Sequence, residues 1–232
     1  MIHKNPFISA FIGIPEWSSK NWLRHWLAKS PLVPSFIQDY SPIKGYEKFR
    51  KLGVGDIVID VGAFPGDYAL FAAKKVGQTG HVYALEPDPE NRRILERNIR
   101  KSKLSNLTVI PKGLWKEQTA LYMNSEGLAS HIQDGGYQAI EVISLDVLTE
   151  ELSLDKLDVL KMDIEGAELQ ALAGARKTLT RFSPYTCIAS YHIVDGKTTA
   201  DRVETVLKEA GLHTCTAYPK HLTTFGSRES LL

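Results

Sequence analysis

The sequence predicts an α/β fold: a doubly wound, mainly parallel sheet with helices on both faces, preceded by a partly helical arm. Three observations carry this. Residues 57–61, IVIDV, are a run of largely β-branched apolar residues, the kind that parallel strands bury on both faces. The run stops at Gly62 and Gly66 and passes into YALFAAKKV, whose apolar residues recur at helical spacing before Gly77. The alternation of short apolar strand and amphipathic helix then repeats along the chain, as a βα-wound sheet requires.

The chain has 232 residues, enough for one domain with an ample core or one domain plus an arm. An apolar fraction of 43% and a charged fraction of 24% are those of an ordinary globule. The net charge of +1 does not suit a general polyanion binder, so no nucleic acid partner is expected. Cys187 and Cys215 lie in no C-x-x-C pair, which points away from a zinc or disulfide framework and toward a reduced, cytoplasmic setting. No apolar run reaches the roughly 18 to 20 residues of a membrane helix. The apolar FISAFIGI near the start has only Lys4 before it and no small-residue cleavage site after it, so it does not read as a signal peptide.

In chain order, residues 1–42 read as the arm, because Pro6, Pro15, Pro31, Pro34 and Pro42 interrupt any long element. Between them, residues 16–29 place Trp22, Leu23, Trp26 and Leu27 on one helical face. That face can pack on the domain, close over it as a lid, or form a homodimer contact. The main domain is expected over residues 43–232. It begins with an amphipathic helix at 43–52 carrying Tyr46, Phe49 and Leu52, ended by Gly53 and Gly55. The first strand follows. After the glycine turn and first helix, HVYALEP at 81–87 is a second strand, and 89–103 a helix with Ile94, Leu95 and Ile99 inward. LTVIP at 107–111 is a third strand. Residues 118–143 hold two β-type runs, TALYM and QAIEVI, around a glycine-rich loop containing Ser130 and His131; they rim the site or are a plain excursion. Residues 157–162 make a fourth strand and 165–179 one alanine-rich helix. YTCIASYH at 185–192 is a fifth strand and 199–210 a helix closed by Gly211. HTCTAY and LTTFGS form a closing hairpin.

The glycine turn is not the dinucleotide fingerprint. G-x-G-x-x-G uses its middle glycine to let backbone approach a pyrophosphate, and Gly62-Ala63-Phe64-Pro65-Gly66 lacks it. The pattern is D-x-G-x-x-x-G, starting at Asp60, which resembles the first motif of class I S-adenosylmethionine (SAM) methyltransferases. Glu86 ends the second strand, where open α/β folds place an acid for ribose hydroxyls: one carboxylate can accept from both the 2′- and 3′-OH. NAD and SAM both carry such a ribose. Lys112 and Gly113 follow the third strand, where backbone can meet an adenine. Asp163 ends the fourth strand, beside the first in a doubly wound sheet, and would face the transferred group. Glu165 and Glu168 either act there or simply favour a helix start. His192 at the end of the fifth strand is a candidate base, since imidazole titrates near neutrality.

Four segments together resemble the FkbM family of SAM-dependent methyltransferases: GDIVIDVGAFPGDYALFAAK, VYALEPDPEN, ISLDVL at 143–148, and LDVLKMDIEGAELQALAGA, whose K-x-D-x-E-G-A-E is close to a family hallmark. The likeness covers roughly residues 50–195. It implies a seven-stranded class I fold, SAM as cofactor, and methylation of a hydroxyl on a sugar, lipid or natural-product acceptor. It implies a cofactor set of Asp60, Gly62, Ala63, Phe64, Gly66, Glu86, Pro87, Gly113 and Asp163, with His192, Asp163 and Glu165 as catalytic candidates. Two positions depart from the family pattern: Phe64-Pro65 replaces a polar middle of the first motif, and Ser190-Tyr191 precede His192 where an acid is usual. No metal ligands are assigned, because Asp163 and Glu165 alone are a weak metal signal. The competing readings are an NAD-dependent oxidoreductase and a non-catalytic nucleoside-binding module. The amino-methylating [DN]-P-P-[FY] motif is absent after the fourth strand, and no Pro-Cys pair exists for cytosine chemistry.

Overall fold

A computed structural model describes residues 42–124, 131–132, 138–219 and 221–231. The chain divides into two units, residues 1–48 and 49–232. Of the first, only a helical turn, Pro42–Gly45, and the residues up to 48 are described. The expected arm and its helix at 16–29 lie outside the described residues, as does Ser130.

The second unit is built on a seven-stranded sheet, the number the sequence predicts. Its strands are β1 (Ile57–Val61), β2 (His81–Leu85), β3 (Leu107–Ile110), β8 (Val159–Met162), β9 (Tyr185–Ala189), β12 (His213–Ala217) and β13 (Thr223–Ser227). The spatial order is β12-β13-β9-β8-β1-β2-β3. Only β13 runs against the rest, antiparallel to both β12 and β9; the other neighbours are parallel. The central strands are largely apolar because both faces are covered: Val58, Ile59, Leu160, Met162, Cys187 and Ile188 are fully buried. Removing one such side chain, as in Leu160→Ala, costs about 2–5 kcal/mol through lost burial and the cavity left behind.

The covering helices are α1 (Asp67–Val76), α2 (Pro89–Ser102), α3 (Leu145–Glu151), α4 (Glu168–Ala173), α5 (Arg176–Phe182) and α6 (Ala200–Glu209). Two have capping residues that fix where they start. Asp88 accepts from the amides of Glu90 and Asn91 at the head of α2, with Pro89 at its first position. Ser144 accepts from the Val147 amide at the head of α3. Asp146, from the ISLDVL segment, accepts from the amides of Thr178 and Lys177 and so ties α3 to the start of α5. That segment is therefore a structural clamp.

The insertion joins β4 (Gly113–Leu114) in a separate four-stranded sheet with β7 (Gln138–Ile143), β5 (Thr119–Asn124) and β6 (His131–Ile132), in the order β4-β7-β5-β6. Its two longer strands are the TALYM and QAIEVI runs, paired antiparallel. A two-stranded ribbon, β10 (Ile193–Val194) with β11 (Lys197–Thr198), follows β9.

Three sequence expectations are corrected. The helix expected over 43–52 is helical only at Pro42–Gly45. Arg50 makes two hydrogen bonds to Asp56, and the Gly53 amide a third, which draws residues 50–53 into a loop leading to β1. The single helix expected over 165–179 is two. It breaks at Gly174, which lies so close to the Trp115 carbonyl that a Cβ would collide with it. The fifth strand ends at Ala189, so His192 stands in the loop beyond it. Among the described residues no helix is long and apolar enough to cross a membrane.

Candidate active site

The carboxyl ends of β1, β2, β8 and β9 gather nearly every residue singled out in the sequence. Gly62, just after β1, has φ +74, and a Cβ there would strike the Asp163 carbonyl oxygen. Its amide and that of Ala63 both donate to Leu85 O, at 3.1 Å each. Its own carbonyl accepts from Lys161 Nζ at 3.0 Å. Both amides are thus committed within the fold. Gly62 joins three strand ends, and only glycine fits the space and the left-handed backbone.

Asp60 and Lys161 are register partners on β1 and β8. Lys161 Nζ lies 2.9 Å from Asp60 Oδ1, with the side chains 6% and 1% exposed. Burial pushes the Asp60 carboxyl up and Lys161 offsets this only in part. Burial also works against the Lys161 ammonium, but Asp60 and Asp163 hold its pKa above the ordinary value. The short distance supports the charged pair. Asp60 is thus tied into the fold of the turn through Lys161.

Glu86 follows β2 and is 5% exposed. Burial raises its pKa to about 7, against hydrogen bonds from the Asp88 and Phe64 amides. The Asp88 amide lies 3.0 Å from Oε1. Through Phe64, Glu86 links the glycine turn to the β2 end. The Phe64–Pro65 peptide is cis, and Gly66, φ +107, stands at the head of α1. Pro87 and Gly113 are neighbours: a Cβ on Gly113 would come within 3.5 Å of Pro87. Glu86, Pro87 and Gly113 thus lie near the β1 and β2 ends.

The second group lies at the β8 and β9 ends. His192 Nδ1 is 3.0 Å from Glu168 Oε1; Nε2 is 3.5 Å from Glu165 Oε2 and 3.7 Å from Asp163 Oδ1. Glu168 is fully buried and accepts from the Ile164 amide at 3.0 Å and, more weakly, from that of Gly166 at 3.4 Å. Tyr191 donates to Asp163 Oδ1 at 3.1 Å. Burial raises the Asp163 pKa, with Glu168 and Glu165 adding to it and Lys161 and His192 opposing. Burial would lower the pKa of His192, but Glu165, Glu168 and Asp163 together carry it to about 10. The three carboxylates thus favour the protonated ring over the neutral imidazole. Asp163, Glu165 and His192 also present ligand atoms within 4.8 Å of one another, a set able to hold a metal ion.

Sequence reasoning gave no role to Lys161 or Tyr191. A lysine inside the buried run VLKM was the available signal for Lys161, since a buried ammonium needs a partner. Tyr191 carried no such signal.

A family model described as "Methyltransferase FkbM domain" matches residues 60–213. This chain belongs to the FkbM methyltransferase family. Among curated relatives, hexuronic acid methyltransferase AglP of Haloferax volcanii is 30% identical over 130 residues, which cover 53% of this chain and 52% of the relative. Among solved structures, the FkbM methyltransferase of Methylobacillus flagellatus superposes with a TM-score of 0.61 at 18% identity, covering 89% of this chain and 58% of that one. Aeropyrum pernix fibrillarin, solved with bound SAM, superposes at 0.52 and 15% identity, over 86% of this chain and 75% of its own. These two share the fold. The chain spans about half the length of AglP and 58% of the FkbM structure.

Proposed function

We propose that this chain is a SAM-dependent methyltransferase that methylates a hydroxyl of a small acceptor of the saccharide class. The observation that carries the reading is one sheet edge holding two groups: a buried ribose-type carboxylate, Glu86, beside the glycine turn, and the Asp163–Glu165–His192 cluster at the adjoining strand ends. Membership in the FkbM family and likeness to a hexuronic acid methyltransferase support the reaction and the acceptor class. No observation favours the nicotinamide or non-catalytic alternatives.

The residues fit the cofactor. Glu86 is a desolvated carboxylate whose ionised form two hydroxyl donors would stabilise. Pro87 and Gly113 would take the adenine against backbone and ring, and the turn from Ala63 to Gly66 the amino-acid end. SAM, when bound, supplies an electrophilic methyl carbon on a sulfonium. Asp163, Glu165 and His192 would hold the acceptor hydroxyl in line and receive its proton. Alignment supplies most of the acceleration for so reactive a donor, and proton removal adds to it. We also propose that residues 1–42 form an arm to the domain at 43–232, and that no nucleic acid is bound.

The test has two steps. Calorimetry with SAM and with NAD should give binding of SAM alone. Radiolabelled SAM screened against sugar, lipid and polyketide acceptors should then label a hydroxylated sugar. Binding of NAD in place of SAM would overturn the proposal, as would SAM binding with no transfer to any hydroxyl.

A further inference from the structure

The cluster at the β8 and β9 ends carries more than an acid–base role. We propose that it is a site for one first-row divalent transition-metal ion, ligated by His192 Nε2 and the carboxylates of Asp163 and Glu165.

The spacing suits an ion. Two ligand atoms about 2.1 Å from a common metal, at a tetrahedral angle, lie roughly 3.4 Å apart. Nε2 stands 3.5 Å from Glu165 Oε2 and 3.7 Å from Asp163 Oδ1. These separations are long for direct hydrogen bonds. Both ring nitrogens are buried and make no hydrogen bond among the described residues, on a side chain only 9% exposed.

The surrounding contacts are those that orient metal ligands. Glu168 Oε1 sits at Nδ1 and is itself fixed by the Ile164 amide, leaving Nε2 turned to the two carboxylates. A carboxylate beside one ring nitrogen, with the other nitrogen facing the ion, is the usual supporting arrangement. Tyr191 steadies Asp163 in the same way.

Charge points in the same direction. Three carboxylates surround one imidazole, while Lys161 lies against Asp60 and is shared between it and Asp163. A divalent ion offsets what the single ring cannot. The mixture of imidazole and carboxylate favours ions such as Zn²⁺ and Mn²⁺ over Ca²⁺ or Mg²⁺, which prefer oxygen alone. Glu165, 27% exposed, marks the side from which an ion enters. The catalytic consequence rests on the methyltransferase reading: an ion here would grip the acceptor hydroxyl and ease loss of its proton. Binding itself does not depend on that reading.

The experiment uses the full chain stripped with chelator and titrated with Zn²⁺ and, separately, Mn²⁺. One ion should bind per chain. Glu165→Gln and His192→Gln should each weaken binding at least tenfold, while Glu96→Gln on exposed α2 leaves it unchanged. Absence of stoichiometric binding to the wild-type chain overturns the site, as does binding that neither folded variant alters. Should the variants misfold, ¹⁵N-histidine NMR of the wild-type chain decides: Zn²⁺ must convert one of the seven histidines to an Nε2-ligated ring, and seven unchanged rings overturn the proposal. Titrating the same metal-free protein with SAM separates the two claims. SAM binding without metal binding sinks the site alone; metal binding without SAM binding sinks the proposed function alone.

Discussion

Two polar clusters sit at the same edge of the sheet and differ in how their charges close. Asp60 and Lys161 are one acid and one base, in contact at 2.9 Å, with the ammonium also bonded to the Gly62 carbonyl. Asp163, Glu165 and Glu168 are three acids around one imidazole, with contacts from 3.0 to 3.7 Å. The first is balanced, almost fully enclosed and tied into backbone, which is the chemistry of a structural joint. The second has more acids than bases and reaches solvent at Glu165, which suits the functional role proposed for it. Breaking the first should therefore cost stability, and breaking the second should cost turnover.

The largest effect is expected from the open cluster. His192→Ala should lower methyl transfer by about 10²–10⁴-fold, while SAM affinity stays nearly intact because the ring stands apart from the Glu86 side. The assay is turnover on an identified acceptor, with calorimetry for the cofactor. A folded variant that loses SAM binding would erase the division between the clusters.

The balanced pair should respond the other way. Lys161→Met strands a buried carboxylate and should cost about 3–5 kcal/mol in denaturant unfolding. Adding Asp60→Asn to it should restore part of that loss, since no uncompensated charge remains. A cost below about 1 kcal/mol would show that the pair is no joint. Gly62→Ala should cost about 2–4 kcal/mol, from a left-handed backbone and the collision with the Asp163 carbonyl. Normal stability in that variant would mean the three strand ends can part.

How much of this the sequence revealed follows the range of the interactions. The strand–turn–helix at 57–76 was legible because its period, its glycines and its apolar run are local. Glu86 was legible from its distance to the turn. The Asp60–Lys161 pair was not, since it depends on β8 inserting beside β1 in one register, a hundred residues on. The metal-type cluster was half legible: Asp163 and Glu165 are neighbours in sequence, but His192 joins them only because β8 and β9 are adjacent. The helix expected at 43–52 failed for a similar reason. Its amphipathic spacing was real, yet Arg50 and Gly53 are claimed by Asp56. The break at Gly174 was hidden in a good helical pattern, because it answers to the backbone at Trp115.

Glu86 links the comparison to the cofactor, with a smaller expected effect. Glu86→Gln should weaken SAM binding by about 1–3 kcal/mol, through poorly paired ribose hydroxyls. In the free protein Glu86 holds its proton up to about 7, raised by burial and by Asp88, and opposed by the Asp88 and Phe64 amides and by Lys161. Its folded pKa lies above the ordinary 4.5. Its contribution to stability is thus full below about 4.5 and is lost as pH rises through 7. Cofactor binding runs with the opposite sign, because the ionised form accepts both hydroxyls.

The central claim is that Glu86 receives the cofactor's ribose, and calorimetry of SAM binding across pH 5.5 to 8.5, in buffers of different ionisation enthalpy, tests it most directly. Affinity should tighten as pH rises through about 7, with proton release near pH 6 that disappears in Glu86→Gln. Affinity independent of pH, and equal in the wild-type chain and a folded Glu86→Gln, would contradict the account.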